Sequence, residues 1–137
     1  MSPRVNYIQE VSPVMRNVLR SKIHRAYVTD ANTDYIGSVI IDRELMEKVD
    51  LWAFEKVLIC NVTNGNRWET YALPGDRGSG TVSVQGAGAK LCRKDDCLII
   101  LSFEVSDTPI EPKMILVDRQ NHFIQYIEGA MYEEPVH

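Results

Sequence analysis

The chain has 137 residues and a mass of 15.6 kDa, and 45% of its residues are hydrophobic, as in one compact domain with its own core. Its net charge of −4 and isoelectric point near 5.3 give no broad basic surface, so we do not expect nucleic acid as a partner. The three cysteines are an odd set without C-x-x-C spacing, which indicates neither a disulfide framework nor a metal site. The longest apolar run, residues 97–101, is too short to span a membrane, and the N-terminus has no apolar core of signal-peptide length. These features predict a soluble cytoplasmic protein.

Short β-like segments dominate the chain. Residues 1–13, with Pro3 and Pro13 and little periodicity, indicate an N-terminal extension. The segments that follow are rich in Val, Ile, Tyr and Thr, and turn residues separate several of them. They are residues 23–29, 35–41, 56–62, 67–73, 80–84, 97–105 and 113–117.

One short helix is expected after Asp42, in the stretch DRELMEKV. Asp42 can cap it and Glu44 lies in the first turn, while Leu45, Met46 and Val49 recur at helical spacing. The pattern predicts a helix of about two turns.

The pair Asn64-Gly65 lies between two β-like segments and predicts a tight hairpin, because both residues tolerate positive φ. Such a turn would bring Arg67 beside Asn61. Many short strands with one or two short helices predict a mainly β fold, a closed or nearly closed barrel. We assign the barrel to residues 14–118 and a C-terminal tail to residues 119–137.

Several polar residues on these strands are candidates for chemistry. Strand periodicity places Lys22 and His24 on one face, where they could receive an anion or simply form an exposed polar surface. Arg67 and Tyr71 share a face by the same alternation, and Thr70 points away from them unless the strand is irregular.

Two glycine-rich stretches, RGSG at 77–80 and GAGAK at 86–90, resemble phosphate-binding loops. Neither has the spacing of a Walker loop, and the sequence contains no G-x-G-x-x-G. We interpret both as turns.

The stretch DYIGSVIID, residues 34–42, reads as a strand interrupted by Gly37-Ser38. A glycine followed by serine at a strained bend can expose the glycine carbonyl to attack by the next hydroxyl. Most Gly-Ser pairs do nothing of this kind, so the pair gains meaning only from its neighbours.

The stretches SKIHRAYVTDANTDYIGSVIID, NVTNGNRWETYAL, RGSG and VQGAGA follow one another in this order. In this the chain resembles the pyruvoyl-dependent aspartate α-decarboxylases, over roughly residues 16–103. The resemblance implies a double-psi β-barrel, mainly β with one or two short helices, that assembles as a homotetramer with shared active sites. It also implies an inactive proenzyme, for which a maturation partner is possible.

The resemblance further implies self-cleavage between Gly37 and Ser38. The Ser38 hydroxyl would attack the Gly37 carbonyl to give an ester, and elimination and hydrolysis would leave a covalent pyruvoyl group at the new N-terminus. Glycine would permit the strained bend, and serine would supply both the nucleophile and the carbon skeleton. Thr70 would stabilise the oxyanion of this step.

In turnover, the resemblance implies that the pyruvoyl ketone condenses with the substrate amine, with neither a metal nor pyridoxal phosphate. Tyr71 matches the residue that returns a proton to the carbanion. Lys22 and Arg67 match carboxylate binders, and Tyr35 and His24 match residues that line the same pocket.

Gln85, Gly86 and Ala87 match a further part of the substrate pocket, with a departure. Gln85 stands where the family commonly has Asn, so the amide is kept with one extra methylene, and Gly88 replaces a common Ala. The N-terminal segment is also longer than usual in the family.

Three functions stay open at this point. The resemblance favours conversion of L-aspartate to β-alanine for pantothenate synthesis. A decarboxylase for glutamate or a substituted aspartate would keep Gly37-Ser38, with Gln85 as its sequence support. An uncleaved barrel that serves as a binding module would keep Ser38 as serine.

Overall fold

The computed structural model describes residues 14–128, and within that range the chain forms nine β-strands, one α-helix and one 3-10 helix. The helix α1 spans Arg43–Lys48, and the 3-10 helix spans Gly86–Lys90. The fold is therefore mainly β with short helical elements, as the sequence predicts. The strands are β1 Arg16–Tyr27, β2 Asp30–Asn32, β3 Ser38–Asp42, β4 Lys56–Asn61, β5 Arg67–Gly75, β6 Val82–Gln85, β7 Cys97–Ser106, β8 Lys113–Val117 and β9 Phe123–Tyr126.

The strands follow the order β2-β6-β3-β5-β4-β7-β1-β8-β9. β1 and β2 lie far apart in this order, yet they are nearly continuous along the chain, so the sheet curves back on itself. Between them, the Thr29 backbone N–H donates to the Val82 carbonyl at 2.8 Å. The Asn121 side-chain amide donates to the carbonyls of Tyr27 and Gly80, each at 2.8 Å. These bonds close the sheet into a barrel.

One face of the strands fills the barrel interior. Ile23, Ile100, Ile59 and Trp68 are successive cross-strand partners on β1, β7, β4 and β5. The three isoleucines are at most 2% exposed, and Trp68 packs against the core that they help to form. The neighbouring positions on the same strands therefore face outward.

The predicted helix is confirmed, and its cap also organises a loop. The Asp42 carboxylate accepts the Glu44 backbone N–H at 2.9 Å. The same carboxylate is fully buried and accepts the N–H groups of Gly78 and Gly80, each at 2.9 Å. The RGSG stretch is thus a turn wrapped around Asp42, which confirms that interpretation.

The predicted hairpin between β4 and β5 is confirmed, but the prediction of a tight two-residue turn is wrong. Arg67 pairs with Cys60 rather than with Asn61, and of Asn64 and Gly65 only Gly65 has positive φ, at 82°. The loop begins early because the Asn61 side chain accepts the Thr63 N–H at 2.9 Å and the Asn61 carbonyl accepts the Gly65 N–H at 2.8 Å.

β1 begins at Arg16, earlier than the sequence predicts, and the prediction missed β2 and β9. Strands of three or four residues carry too little periodicity to be recognised. β9 lies within the stretch predicted as a C-terminal tail and pairs antiparallel with β8. Residues 1–13 and 129–137 lie outside the described residues, so the extension and the domain limits stay predictions. Among the described residues, no helix has the length and apolar content needed to cross a bilayer.

Candidate active site

The Gly37-Ser38 peptide lies at the start of β3. Ser38 is 3% exposed and is paired antiparallel with Gln85 at the end of β6. The preceding loop is open to solvent, with Tyr35 60% exposed. The peptide therefore joins an exposed loop to a buried strand.

A close backbone contact holds this peptide from the β6 side. Gly86 has φ of 76°, and a Cβ on it would lie 2.5 Å from the Gly37 Cα and 2.7 Å from the Gly37 nitrogen. Any side chain at Gly86 would thus overlap the peptide next to Ser38, so this position needs glycine for both space and conformation.

Gly37 itself lies in a bend and does not have the left-handed conformation that favours glycine. Its φ lies outside the left-handed region, and a Cβ on it would lie 3.7 Å from the Gln85 carbonyl oxygen, an ordinary contact. The position whose space and backbone conformation require glycine is instead Gly86, across the strand pair.

β5 flanks the other side of the peptide. Val39 and Ala72 are parallel cross-strand partners, so one step back along both strands sets Ser38 level with Tyr71. A second step along β5 reaches Thr70, while Gly37 lies in the bend that precedes β3. Because side chains alternate, Thr70 faces the barrel interior and Tyr71 the outer face, as the sequence predicts.

Tyr71 has an aromatic neighbour that the sequence did not reveal. The Phe54 and Tyr71 rings stack with centroids 6.0 Å apart and planes 22° apart. Phe54 is 74% exposed and has φ of 69°, and its backbone N–H donates to the Ala72 carbonyl at 2.7 Å. An exposed Phe in a left-handed conformation leaves no periodic signal, so only the structure could show it beside Tyr71.

The Gln85 side chain is turned along its own strand. It is 6% exposed, and its amide nitrogen donates to the Ser83 hydroxyl at 2.5 Å. Ala87, next to Gly86 in the 3-10 helix, is exposed. Asn32 on β2 pairs with Gln85 from the other side.

Arg67 and Tyr71 lie on the same outward face of β5. They are four positions apart, or about 13 Å along an extended strand. Arg67 is exposed and stands at the first position of the strand, so its guanidinium has to reach back along β5 to approach a group at Tyr71.

Lys22 also faces outward, but on a distant strand. It shares a cross-strand row with Leu101, Leu58 and Glu69 on β7, β4 and β5. Three strand spacings separate Lys22 from Glu69, or about 14 Å. This outer face carries a cavity of about 550 Å³ that Leu58, Glu69 and Leu101 help to line.

His24 lies farther along β1, beside a different cleft. The cleft has a volume of about 280 Å³ and is lined in part by His24, Arg25, Tyr27 and Arg119. Within one chain, then, the structure groups Ser38, Thr70, Tyr71 and Gly86, and it sets Lys22 and His24 on β1, four places from β3 in the strand order.

A family model described as aspartate decarboxylase matches residues 14–124, a range that includes all of these residues. The chain belongs to the aspartate decarboxylase family. It is 47% identical over 112 residues to the aspartate 1-decarboxylase of Thermoanaerobacter pseudethanolicus, with 79% of this chain and 96% of that protein covered. It is 43% identical over 126 residues to the aspartate 1-decarboxylase of Neisseria meningitidis, with 89% of this chain and 97% of that protein covered.

A third relative, the aspartate 1-decarboxylase of Acetivibrio thermocellus, is 45% identical over 111 residues, which cover 78% of this chain and 88% of that protein. Membership of the aspartate decarboxylase family gives the Gly37-Ser38 pair its context. The residues around it fit a covalent group made from Ser38, because Gly86 and the middle of β5 flank that peptide and leave its loop side open.

Proposed function

We propose that this chain is a proenzyme that cleaves itself between Gly37 and Ser38 and then decarboxylates L-aspartate to β-alanine and carbon dioxide, for pantothenate synthesis. The support is family membership together with one observation, the clamping of this peptide between Gly86 and β5. We place the enzyme in the cytoplasm, as the composition predicts.

In the cleavage step, the Ser38 hydroxyl attacks the Gly37 carbonyl, and the peptide C–N bond breaks as the ester C–O bond forms. Thr70, which lies two positions before Ala72, the β5 partner of Val39, donates a hydrogen bond to the oxyanion of the tetrahedral state. Loss of the Ser38 α-proton then expels the Gly37 carboxylate and leaves dehydroalanine. Water hydrolyses that residue to a pyruvoyl group, with release of ammonia.

In turnover, a pyruvoyl group at residue 38 would supply a ketone for the substrate amine and an acceptor for the electron pair left by carbon dioxide. Tyr71 is the proton donor to the α-carbon, because it lies level with Ser38 on the adjacent strand. Phe54 packs on its ring and limits its movement. Arg67, on the same face, binds the substrate carboxylate that is retained, since a guanidinium can hold it with two parallel hydrogen bonds.

The position of Lys22 supports a site that is shared between copies of the chain. Lys22 lies about 14 Å across the sheet from Glu69 on β5, which is farther than a lysine side chain extends. The outer face also leaves Phe103 and Val105 exposed, at 45% and 62%. We propose a homotetramer in which Lys22 and His24 of one copy complete the pocket of another, with an accessory protein as a possible aid to maturation.

The test is the intact mass of the purified protein under denaturing conditions. We expect two chains, residues 1–37 and a pyruvoyl-blocked fragment of residues 38–137, and release of β-alanine from aspartate. The Ser38→Ala variant should stay whole and inactive, because it has no hydroxyl to attack Gly37. A wild-type chain that stays whole after prolonged warming, alone and with cell extract, contradicts the proposal.

A further inference from the structure

Position 88 has no room for a side chain. A Cβ on it would lie 2.6 Å from Nε1 of Trp68, 3.2 Å from Cδ1 and 3.3 Å from Cε2. Its φ lies outside the left-handed region, so any L-residue could adopt the backbone conformation. The indole of Trp68 thus fills the volume that a side chain at position 88 would need.

Trp68 cannot easily move aside, because its ring packs against the barrel core opposite Ile59. Its Nε1 is buried, and no hydrogen-bond partner for it occurs among residues 14–128. A buried donor without an acceptor costs about 1–3 kcal/mol. Phe would fill much of this space without that cost, so stability alone does not explain an indole here.

The contact joins the two elements that enclose the Gly37-Ser38 peptide. On one side, Gly88 lies in the 3-10 helix that begins with Gly86, whose backbone touches Gly37. On the other side, Trp68 precedes Thr70 by two positions on β5, and both face the barrel interior. A shift of the indole against Gly88 would therefore change the spacing between Gly86 and Thr70.

We propose that Trp68 and Gly88 are a matched pair of positioning residues for self-cleavage, which set the 3-10 helix at the distance from β5 that presents the Gly37 carbonyl to Ser38. The pair also accounts for the glycine at position 88, where the family commonly has alanine. This role rests on the proposed self-cleavage.

The test is a double-mutant cycle on the cleavage rate. Pulse-labelled protein from cell-free translation is followed by mass until cleavage is complete, and the melting temperature of each variant is measured separately. Gly88→Ala forces the helix outward and should slow cleavage on the order of tenfold or more, since small displacements of reacting groups have large effects on rate.

Trp68→Phe leaves a gap beside Gly88, so it should slow cleavage roughly threefold, with little change in melting temperature because the unpaired donor is gone. In the double variant the new methyl group occupies the space that the indole vacates. Its cleavage rate should return to within about twofold of wild type, a non-additivity expected only of groups in contact. A merely structural role would make the cleavage rate and the melting temperature fall together in the single variants and recover together in the double variant.

The outcomes separate the pair from the proposed function. A wild-type chain that stays whole contradicts the self-cleavage itself. If Gly88→Ala or Trp68→Phe is cleaved as fast as the wild-type chain, only the positioning role is overturned. A double variant as slow as Gly88→Ala also overturns it. Should Gly88→Ala fail to fold, the double variant must be cleaved faster than Trp68→Phe, and a slower rate overturns the proposal.

Discussion

The proposed cleavage centre, which comprises Gly37, Ser38, Gly86 and the adjacent part of β5, is built in the opposite way to the outer face of the barrel. At the proposed cleavage centre, Gly86 and the middle of β5 hold a nearly buried Ser38 through backbone contacts within one chain. On the outer face, Arg67 is exposed and Lys22 lies about 14 Å across the sheet from the β5 strand. One region is closed within the chain, and the other is open.

This difference separates two tasks. Self-cleavage is a reaction of the chain with itself, so a single copy can carry every group that it needs. Binding of a small dianion requires cations to converge, and one copy leaves them apart. Under the proposed function, maturation is therefore a task of the single protomer and turnover a task of the assembly.

The strongest way to test this separation is at the neighbouring residues Thr70 and Tyr71. Thr70→Ala should slow cleavage by about 10²–10³-fold, because it loses an oxyanion donor. Tyr71→Phe should be cleaved normally and lose about 10²–10⁴-fold in kcat, because it loses the proton donor. Intact mass against time and steady-state production of β-alanine measure the two effects. Wild-type turnover by Tyr71→Phe would contradict its role.

Gly86 and Gly65 provide a matched pair for the cleavage centre. Both have positive φ, at 76° and 82°, so alanine at either position costs about 1–2 kcal/mol in backbone conformation. A Cβ at Gly65 meets nothing within 4 Å, whereas at Gly86 it meets Gly37 at 2.5 Å. Gly86→Ala should slow cleavage on the order of 10²-fold, and Gly65→Ala should only lower the melting temperature. Equal cleavage rates for both variants would show that the contact with Gly37 is unimportant.

Substitution of Arg67 and of the substrate tests whether the outer face selects the substrate. Asparagine and alanine leave its guanidinium without a carboxylate, a loss of about 1–3 kcal/mol, or roughly 5–150-fold in kcat/KM. Glutamate keeps the charge and should fail more gently, by misplacing its α-carbon. Arg67→Lys should lower kcat/KM for aspartate, because an ammonium cannot form the bidentate pair. If the enzyme turned over alanine as well as aspartate, this role of Arg67 would be overturned. A preference for glutamate would direct attention to Gln85.

The sequence predicted the elements that are defined locally. The Asp42-capped helix needs only its own residues, and the alternation of Thr70 and Tyr71 needs only a regular strand. The contact of Gly86 with Gly37, the stacking of Phe54 on Tyr71 and the fit of Trp68 on Gly88 all join residues distant in sequence. No periodicity encodes such contacts, so the prediction set the need for glycine at position 37 rather than 86.

The last test asks whether the site is shared, through two variants that are each inactive for a different reason. Lys22→Ala keeps Tyr71, and Tyr71→Phe keeps Lys22, so neither homo-oligomer has a complete pocket. If Lys22 of one copy serves Tyr71 of another, co-expression of the two variants completes about a quarter of the pockets in randomly mixed oligomers. Activity should then recover to about a quarter of wild type per pocket, and both variants should be fully cleaved. If both residues served one pocket from a single chain, no mixture could complete it.

Co-expression of Arg67→Ala with Tyr71→Phe is the control, because those residues lie on one face of β5 and mixed oligomers should stay inactive. Recovery in this control, or none with Lys22→Ala, would contradict the division between a closed cleavage centre and an open outer face.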